Sequence, residues 1–579
     1  MNTMTDYKLA NFRRKELVLS QTRKEILNQD GQTALESILD APAPASLIQS
    51  FPDQDLYYLM HKVGPADFAP VLSMATSEQW EYILDLEAWD NDRVDLATTT
   101  KTLDVLFQAD PQRLMRWLVK EKPEFVEYYF FRNMEVRVRE HDDPPPEDHP
   151  DYITWDDKFY FRFLKTPKGF DEEGSPLPPA GDLFPELIEK MLKTTAHMDL
   201  SVFHSLLLET GSILPAEAEE EQFRLKNIRL AEKGFLPVHE AAGVYQPITC
   251  DQLRQRPQRP VMTPDNFDPT IPLPPQYYRQ YIQSDTLFEN ALARVNPELL
   301  FDLNAELGAL INKVVSADKV KIREKEDLEN MIRKTMIFLS LGLESIIGPN
   351  GQAMPDQGAA AIETYFLEDI FRTGSAQSIG LKSHTLTWYN QSFILKKRLP
   401  LSFLGEHWLG VIGGLFLERP LFFDNYATTQ TLYRPFQTLG DIDRTKGVTD
   451  QVMALDAALE QLNPEFGTFD EGILTFKTLL LTLWAKDRLH LEPTLEAVDQ
   501  ARFKPFFKEM FDPDNPGIRD IRVNDFLLWI SEQTGTPVEM IEQPLKAMVS
   551  DLFQELEEEY GNVPADHVDP RFIQHFLLK

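Results

Sequence analysis

The segment HDDPPPEDHPD holds the densest run of metal-ligating side chains in the sequence: His141, Asp142, Asp143, Glu147, Asp148, His149 and Asp151. Imidazole and carboxylate together suit zinc, manganese or iron. His141, Asp143 and His149 are therefore the candidate ligands of a divalent metal, and no other cofactor is expected. Three consecutive prolines, however, stiffen this loop without organising a coordination shell. A solvated acidic connector is the competing reading.

The remaining residues with chemical potential mostly define what is missing. Cys250 is the single cysteine, which excludes an intrachain disulfide framework and any multi-cysteine zinc site and suits a reducing cytoplasm. A lone thiol can be a nucleophile, but a small buried apolar side chain is its simpler role. His239 and Glu240 begin like the zincin helix motif, yet Gly243 stands where the second histidine belongs. His197 and His204 are seven residues apart and would share one helical face, with no carboxylate at the spacing of a di-metal bundle. The stretch Asp512 to Gly517 imitates the start of a calcium loop, but Pro516 and Val523 occupy ligand positions, so it reads as a turn. Gly410, Gly413 and Gly414 lack the spacing of a dinucleotide fingerprint and read as close helix packing. No phosphate loop, nucleophile elbow, HExxH or CxxC motif is present. Triads built from distant positions leave no such trace, so these absences lower an enzymatic reading without removing it.

The elements that must position any site are mainly helical. From Asp40 to Glu87 the chain repeats every twelve residues, aligning Leu47, Leu59, Val71 and Ile83, and Ile48, Met60, Leu72 and Leu84. Apolar residues at i, i+3 and i+4 line one helical face. Pro52, Gly64 with Pro65, and Thr76 with Gln79 in capping-box form mark the boundaries, predicting four short helices. Helices this short are marginal alone and must pack on one another. After an aromatic run at Tyr128 to Phe131 the period changes. Glu135 to Glu140 and Phe159 to Phe163 alternate, with Tyr152 to Trp155 and a turn at Asp156 and Asp157 between them, which predicts a small antiparallel β element. Prolines crowd 166–182 and again 256–276, where regular structure is interrupted. The most apolar helical stretches beyond them are Leu381 to Leu395 and Leu401 to Leu417.

Charge and length set further bounds. The 579 residues exceed what one core supports, so several domains are expected. Acidic residues number 92 against 58 basic, a net −34, and such a field repels phosphate backbones and anionic lipid. The nearest approach to an anion-binding patch is Lys313, Lys319, Lys321, Arg323 and Lys325. Glu324, Glu326 and Asp327 interleave with it, predicting a solvated, salt-bridged helix face and no nucleic-acid site. The longest apolar stretch, Trp408 to Leu417, is half the roughly twenty residues a membrane span needs. The first thirty residues lack an uninterrupted apolar core, so export is not expected.

The segments ALESILDAPAP (Ala34 to Pro44), QWEYILDLEAWDNDRVD (Gln79 to Asp95), the strands near Trp155, and RLAEKGFLPVHEA from Arg229 resemble a family of large bacterial cytosolic proteins known only as a domain of unknown function. The resemblance extends over most of the chain and implies a bacterial source, but brings no catalytic residues. The short-helix array also resembles, in helix spacing alone, the amino-terminal domains of magnesium transporters and flagellar switch proteins.

The resulting expectation is a mainly α, multi-helical cytoplasmic protein. Its parts are a helical domain at 1–140 containing the array at 40–87, a β element and linker at 141–182, a helical segment at 183–255, a proline-rich connector at 256–276 and a helical domain at 277–579. The expected function is a non-catalytic interaction protein or scaffold, holding an unidentified protein partner in grooves between helices. The alternatives are an enzyme of unrecognised class, or a metal or ligand sensor.

Overall fold

The computed structural model describes residues 18–90, 92–140, 151–168, 183–260, 275–278, 286–322, 325–348, 355–428, 430–464, 474–511 and 518–579. The fold is mainly α, and the described strands form three two-stranded antiparallel sheets. No described helix is long and apolar enough to cross a membrane. The chain divides into two compact units that do not follow chain order. The first gathers 1–246, 257–336 and 359–368; the second gathers 247–256, 337–358 and 369–579.

In the first unit the four predicted helices are Pro44–Gln49, Asp53–Val63, Ala69–Leu72 and Ser77–Glu87. Their aligned residues, from Leu47 and Ile48 to Ile83 and Leu84, are all buried. The boundaries arise from the residues that mark them. Pro44 fills the first turn of its helix, Gly64 caps the second at φ 107°, and Thr76 and Gln79 exchange side-chain-to-backbone hydrogen bonds in a complete capping box. The helices differ in length, the third being a single turn. A polar tie locks this group to a distant stretch: the buried Asp55 carboxylate accepts the backbone N–H groups of Gln276 and Tyr277 at 2.8 and 2.9 Å.

The predicted β element pairs Met134–Val138 with Phe159–Phe163, and Ile153 adds a bridge to Phe161. On it Glu135 receives Arg162 at 2.7 Å and Arg137 at 3.2 Å. Burial alone would raise this carboxyl, but hydrogen bonds from Tyr152, Arg162 and Arg137 outweigh it and hold the pKa at about 2. A depressed folded pKa adds stability that is present above about 4.5, the unfolded value, and lost as pH falls through the folded one. The wild-type protein should therefore lose its stability advantage over Glu135→Gln as denaturation midpoints are followed from pH 5 to pH 2. A gap independent of pH would show that Glu135 is not held in this way.

His197 and His204 do not share a face. Asp199 accepts N–H bonds from Ser201 and Val202, ending helix Leu183–Met198 and starting Leu200–Ser212, so the two histidines sit on different helices. His204 instead pairs with Asp156 at 2.7 Å and stacks on Phe159.

The second unit is built around helix Phe476–Arg488, whose run from Thr478 to Lys486 is buried on every side. Trp484 stands among Phe506, Phe526 and Phe553, edge to face, with ring centroids 5.2, 5.4 and 5.5 Å away. Gly410 and Gly414 of helix Gly405–Phe416 allow close packing, as predicted, but the neighbour is a β-hairpin. A side chain at Gly410 would fall 2.4 Å from the Phe423 ring, and one at Gly414 would fall 2.7 Å from the Leu421 carbonyl oxygen. That hairpin, Phe422–Phe423 with Tyr433–Arg434, carries Arg434 into a buried ion cluster. Its guanidinium meets Asp424 at 2.9 Å and Asp441 at 2.7 Å, under the face of Phe422.

Candidate functional site

The first unit encloses a cleft of about 1080 Å³. Helix Pro215–Ala231 forms one wall. Its sequence is rich in strong helix formers, it starts with proline in the first turn, and Glu217 sits where the positive end of the helix dipole favours an acid. Phe223, Lys226 and Leu230 recur at i, i+3 and i+7, and so look into the cleft together. Opposite them are Tyr57, Tyr82 and Trp89, all buried, with Phe235 and Tyr277 completing an aromatic lining.

The turn after this helix is fixed by Gly234. Its φ of +87° is left-handed, and a Cβ there would lie 2.5 Å from the Ala309 carbonyl oxygen, so only glycine fits. The neighbouring Lys233 carbonyl accepts Asn312 Nδ2 at 2.7 Å, which ties the turn to helix Leu300–Ala317 and presents Phe235 to the cleft.

Charge is divided between floor and mouth. Asp85, only 6% exposed, is held by both arms of Arg229 at 2.7 and 2.8 Å. Burial pushes its carboxyl above the ordinary range, and the Arg229 fork opposes that shift. Glu81 is occupied in turn by Arg229 at 3.1 Å and by Lys122. Lys226 differs from these groups. Among the described residues it has no ion pair or hydrogen bond, and its ammonium lies 5.0 Å from the Trp89 ring centroid and 5.3 Å from that of Phe223. Burial lowers its pKa to about 8, with Asp85 opposing and Lys321 assisting. Asp90, Asp92, Glu217, Glu220 and Glu240 make the mouth acidic.

Few of the residues singled out from the sequence belong to this arrangement. His141, Asp143 and His149 lie outside the described residues, as does the Asp512 to Gly517 turn. Among the described residues no group of three His, Cys, Asp or Glu side chains is placed to hold a metal. His239 and Glu240 reach the cleft rim on the four-residue helix Val238–Ala241. Cys250 is half-buried, gives its thiol to the Ser345 carbonyl at 3.3 Å, and has its pKa raised by that burial.

Of the basic cluster, Arg323 and the interleaved Glu324 lie outside the described residues; Lys313, Lys321 and Lys325 are salt-bridged, but the described lysines do not form one helix face. Helix Leu300–Ala317 ends before Lys319, and Lys319 and Lys321 lie on the connecting segment, where they line the cleft. Lys321 pairs with Asp95 at 3.0 Å, Lys313 with Glu368 at 2.7 Å and Lys325 with Glu329 at 2.9 Å. Lys226 belongs to no motif in the sequence. Its signal is a lysine at i+3 between Phe223 and Leu230, a charge set in an apolar stripe.

A mainly helical frame around an aromatic cleft with a desolvated lysine is the class of architecture, and the sequence places it in a family. The chain belongs to a family of unknown function (DUF6178), which it matches over residues 12–579. No curated protein and no solved structure matches. These comparisons do not show the likeness of the first helices to those of magnesium transporters and flagellar switch proteins.

Proposed function

We propose that the first unit binds a small organic molecule in this cleft, as a ligand sensor or an enzyme does, with the apolar body of the ligand against the aromatic lining and an electron-rich oxygen at Lys226. The observation that carries this reading is a half-buried ammonium that, among the described residues, has no carboxylate partner and stands inside a cleft of about 1080 Å³. The volume matches the upper end of small-molecule sites, and desolvated titratable groups concentrate where ligands bind. A cytoplasmic location, suggested by the lone cysteine, belongs to the same reading.

Capture of a protein partner, the scaffold function expected from helix density, rests on a different observation. Leu200, Leu208 and Leu214, on and beside helix Leu200–Ser212, are each more than half exposed.

Intact mass under non-denaturing conditions separates the two. Protein purified from its native host should carry a small mass that is lost on denaturation. It should be absent from Ile228→Trp, which blocks the cleft from a wall position that is 50% exposed and so tolerates the change. A co-purifying polypeptide retained by Ile228→Trp, with no small mass in either protein, would replace the cleft reading with the scaffold.

A further inference from the structure

Lys226 has an environment unlike that of an anchoring lysine. An anchoring lysine is neutralised by a carboxylate, and among the described residues no carboxylate pairs with Lys226; Asp85, the one acid whose field acts on it, is already committed, as are two others of the same unit. Asp85 is gripped at two points by Arg229, Glu81 is shared between Arg229 and Lys122, and Asp95 is held by Lys321 at 3.0 Å. The described contacts of the amine are the face of Trp89 and the face of Phe223, with the cleft beside them and the Lys321 ammonium near enough to disfavour a second charge. We infer that Lys226 is a carbonyl-capturing amine, forming a reversible imine with an aldehyde or ketone held in the cleft. This rests on the cleft being a ligand site.

The chemistry needs no further reagent. The neutral amine adds its lone pair to the carbonyl carbon, its N–H protons and the carbonyl oxygen leave as one water, and a C=N bond replaces C=O. No electron is gained or lost. The requirement is a neutral amine in an accessible, partly desolvated place, the condition under which imine-forming lysines work. The ring faces attract the ammonium form and burial opposes it. Burial prevails, with the pKa at about 8. At neutral pH such an amine is unprotonated a few hundredfold more often than an ordinary lysine, by roughly the shift itself.

The lining also selects among carbonyl compounds. Six aromatic side chains favour a flat or apolar body, and the carboxylates at the mouth disfavour ligands with several negative charges. The class indicated is a neutral, apolar aldehyde or ketone.

Benzaldehyde with cyanoborohydride at pH 7.5 tests this on the full-length protein, with benzyl alcohol as the non-carbonyl probe followed by saturation-transfer NMR. The expected result is saturation transfer to benzyl alcohol and benzylation of Lys226 at least about tenfold faster than that of the exposed lysines, read by peptide mass spectrometry. Lys226→Arg, whose guanidinium stays charged, should lose this fast phase while keeping the wild-type thermal midpoint. Transfer to benzyl alcohol with Lys226 labelled no faster than exposed lysines overturns the imine and leaves the cleft standing. No transfer and no fast labelling overturns both.

Discussion

Replacing Arg434 with methionine is expected to cost the second unit about 3–5 kcal/mol, because it removes the one buried cation that, among the described residues, binds two buried carboxylates. Asp424 and Asp441 are 4% and 2% exposed, and the guanidinium meets both. Each carboxylate also has a backbone donor, Thr428 N–H at 2.8 Å and Gln437 N–H at 2.9 Å, which neutralises no charge, and the second cation at Asp441, Arg444 at 3.5 Å, is exposed and screened by solvent. Burial would raise the Asp441 carboxyl, yet the Arg434 bonds outweigh it and the pKa is lowered, so the ionised form is the one the fold has built around. Urea midpoints of the unit should fall accordingly. A triple change of Arg434→Met, Asp424→Leu and Asp441→Leu should recover most of the loss, since a buried ion cluster as a whole contributes little over apolar packing. A single variant within about 1 kcal/mol of wild type would mean that water reaches the cluster.

Trp484→Ala should be as damaging, about 3–5 kcal/mol, through the cavity it leaves at the centre of the unit. The ring is fully buried and three phenylalanines meet it edge to face, so neighbouring backbone cannot collapse into the space. Trp484→Phe tests the same site differently. Among the described residues the indole N–H has no acceptor, so losing it removes a penalty of about 1–3 kcal/mol that offsets part of the lost volume. The phenylalanine variant should therefore cost less than half as much as the alanine variant. Equal losses would indicate that the N–H is satisfied by buried water.

Where the determinants are local, the sequence announces the structure. Thr76 and Gln79 are three residues apart and close a capping box without help from elsewhere. The alternation from Glu135 and from Phe159 becomes strand pairing because a two-residue period fits no helix. His197 and His204 fail for an equally local reason: Asp199 offers its carboxylate to the amides that follow, and one helix becomes two. The Phe476–Arg488 helix buries even its polar positions Thr478, Thr482 and Lys486, so periodicity could not single it out as the centre of a core. The cleft is harder still to foresee. Asp85 and Arg229 are 144 residues apart in sequence, and Lys226 acquires its character only when Trp89 arrives beside it. Such properties belong to the assembled surroundings of a residue.

The tie from Asp55 to the amides of Gln276 and Tyr277 also sets a timetable. The two ends are up to 222 residues apart, and chains grow at roughly 5–20 residues per second, so Asp55 leaves the ribosome roughly 10–45 s before the amides that satisfy it. Tyr58, which stacks on Tyr277, waits equally long. Contacts this distant slow folding and prolong the exposure of apolar surface. The nascent first unit thus spends its early life as an incomplete core, and the vulnerable interval, when chaperones would be needed, ends only when its last stretch, 359–368, has been made.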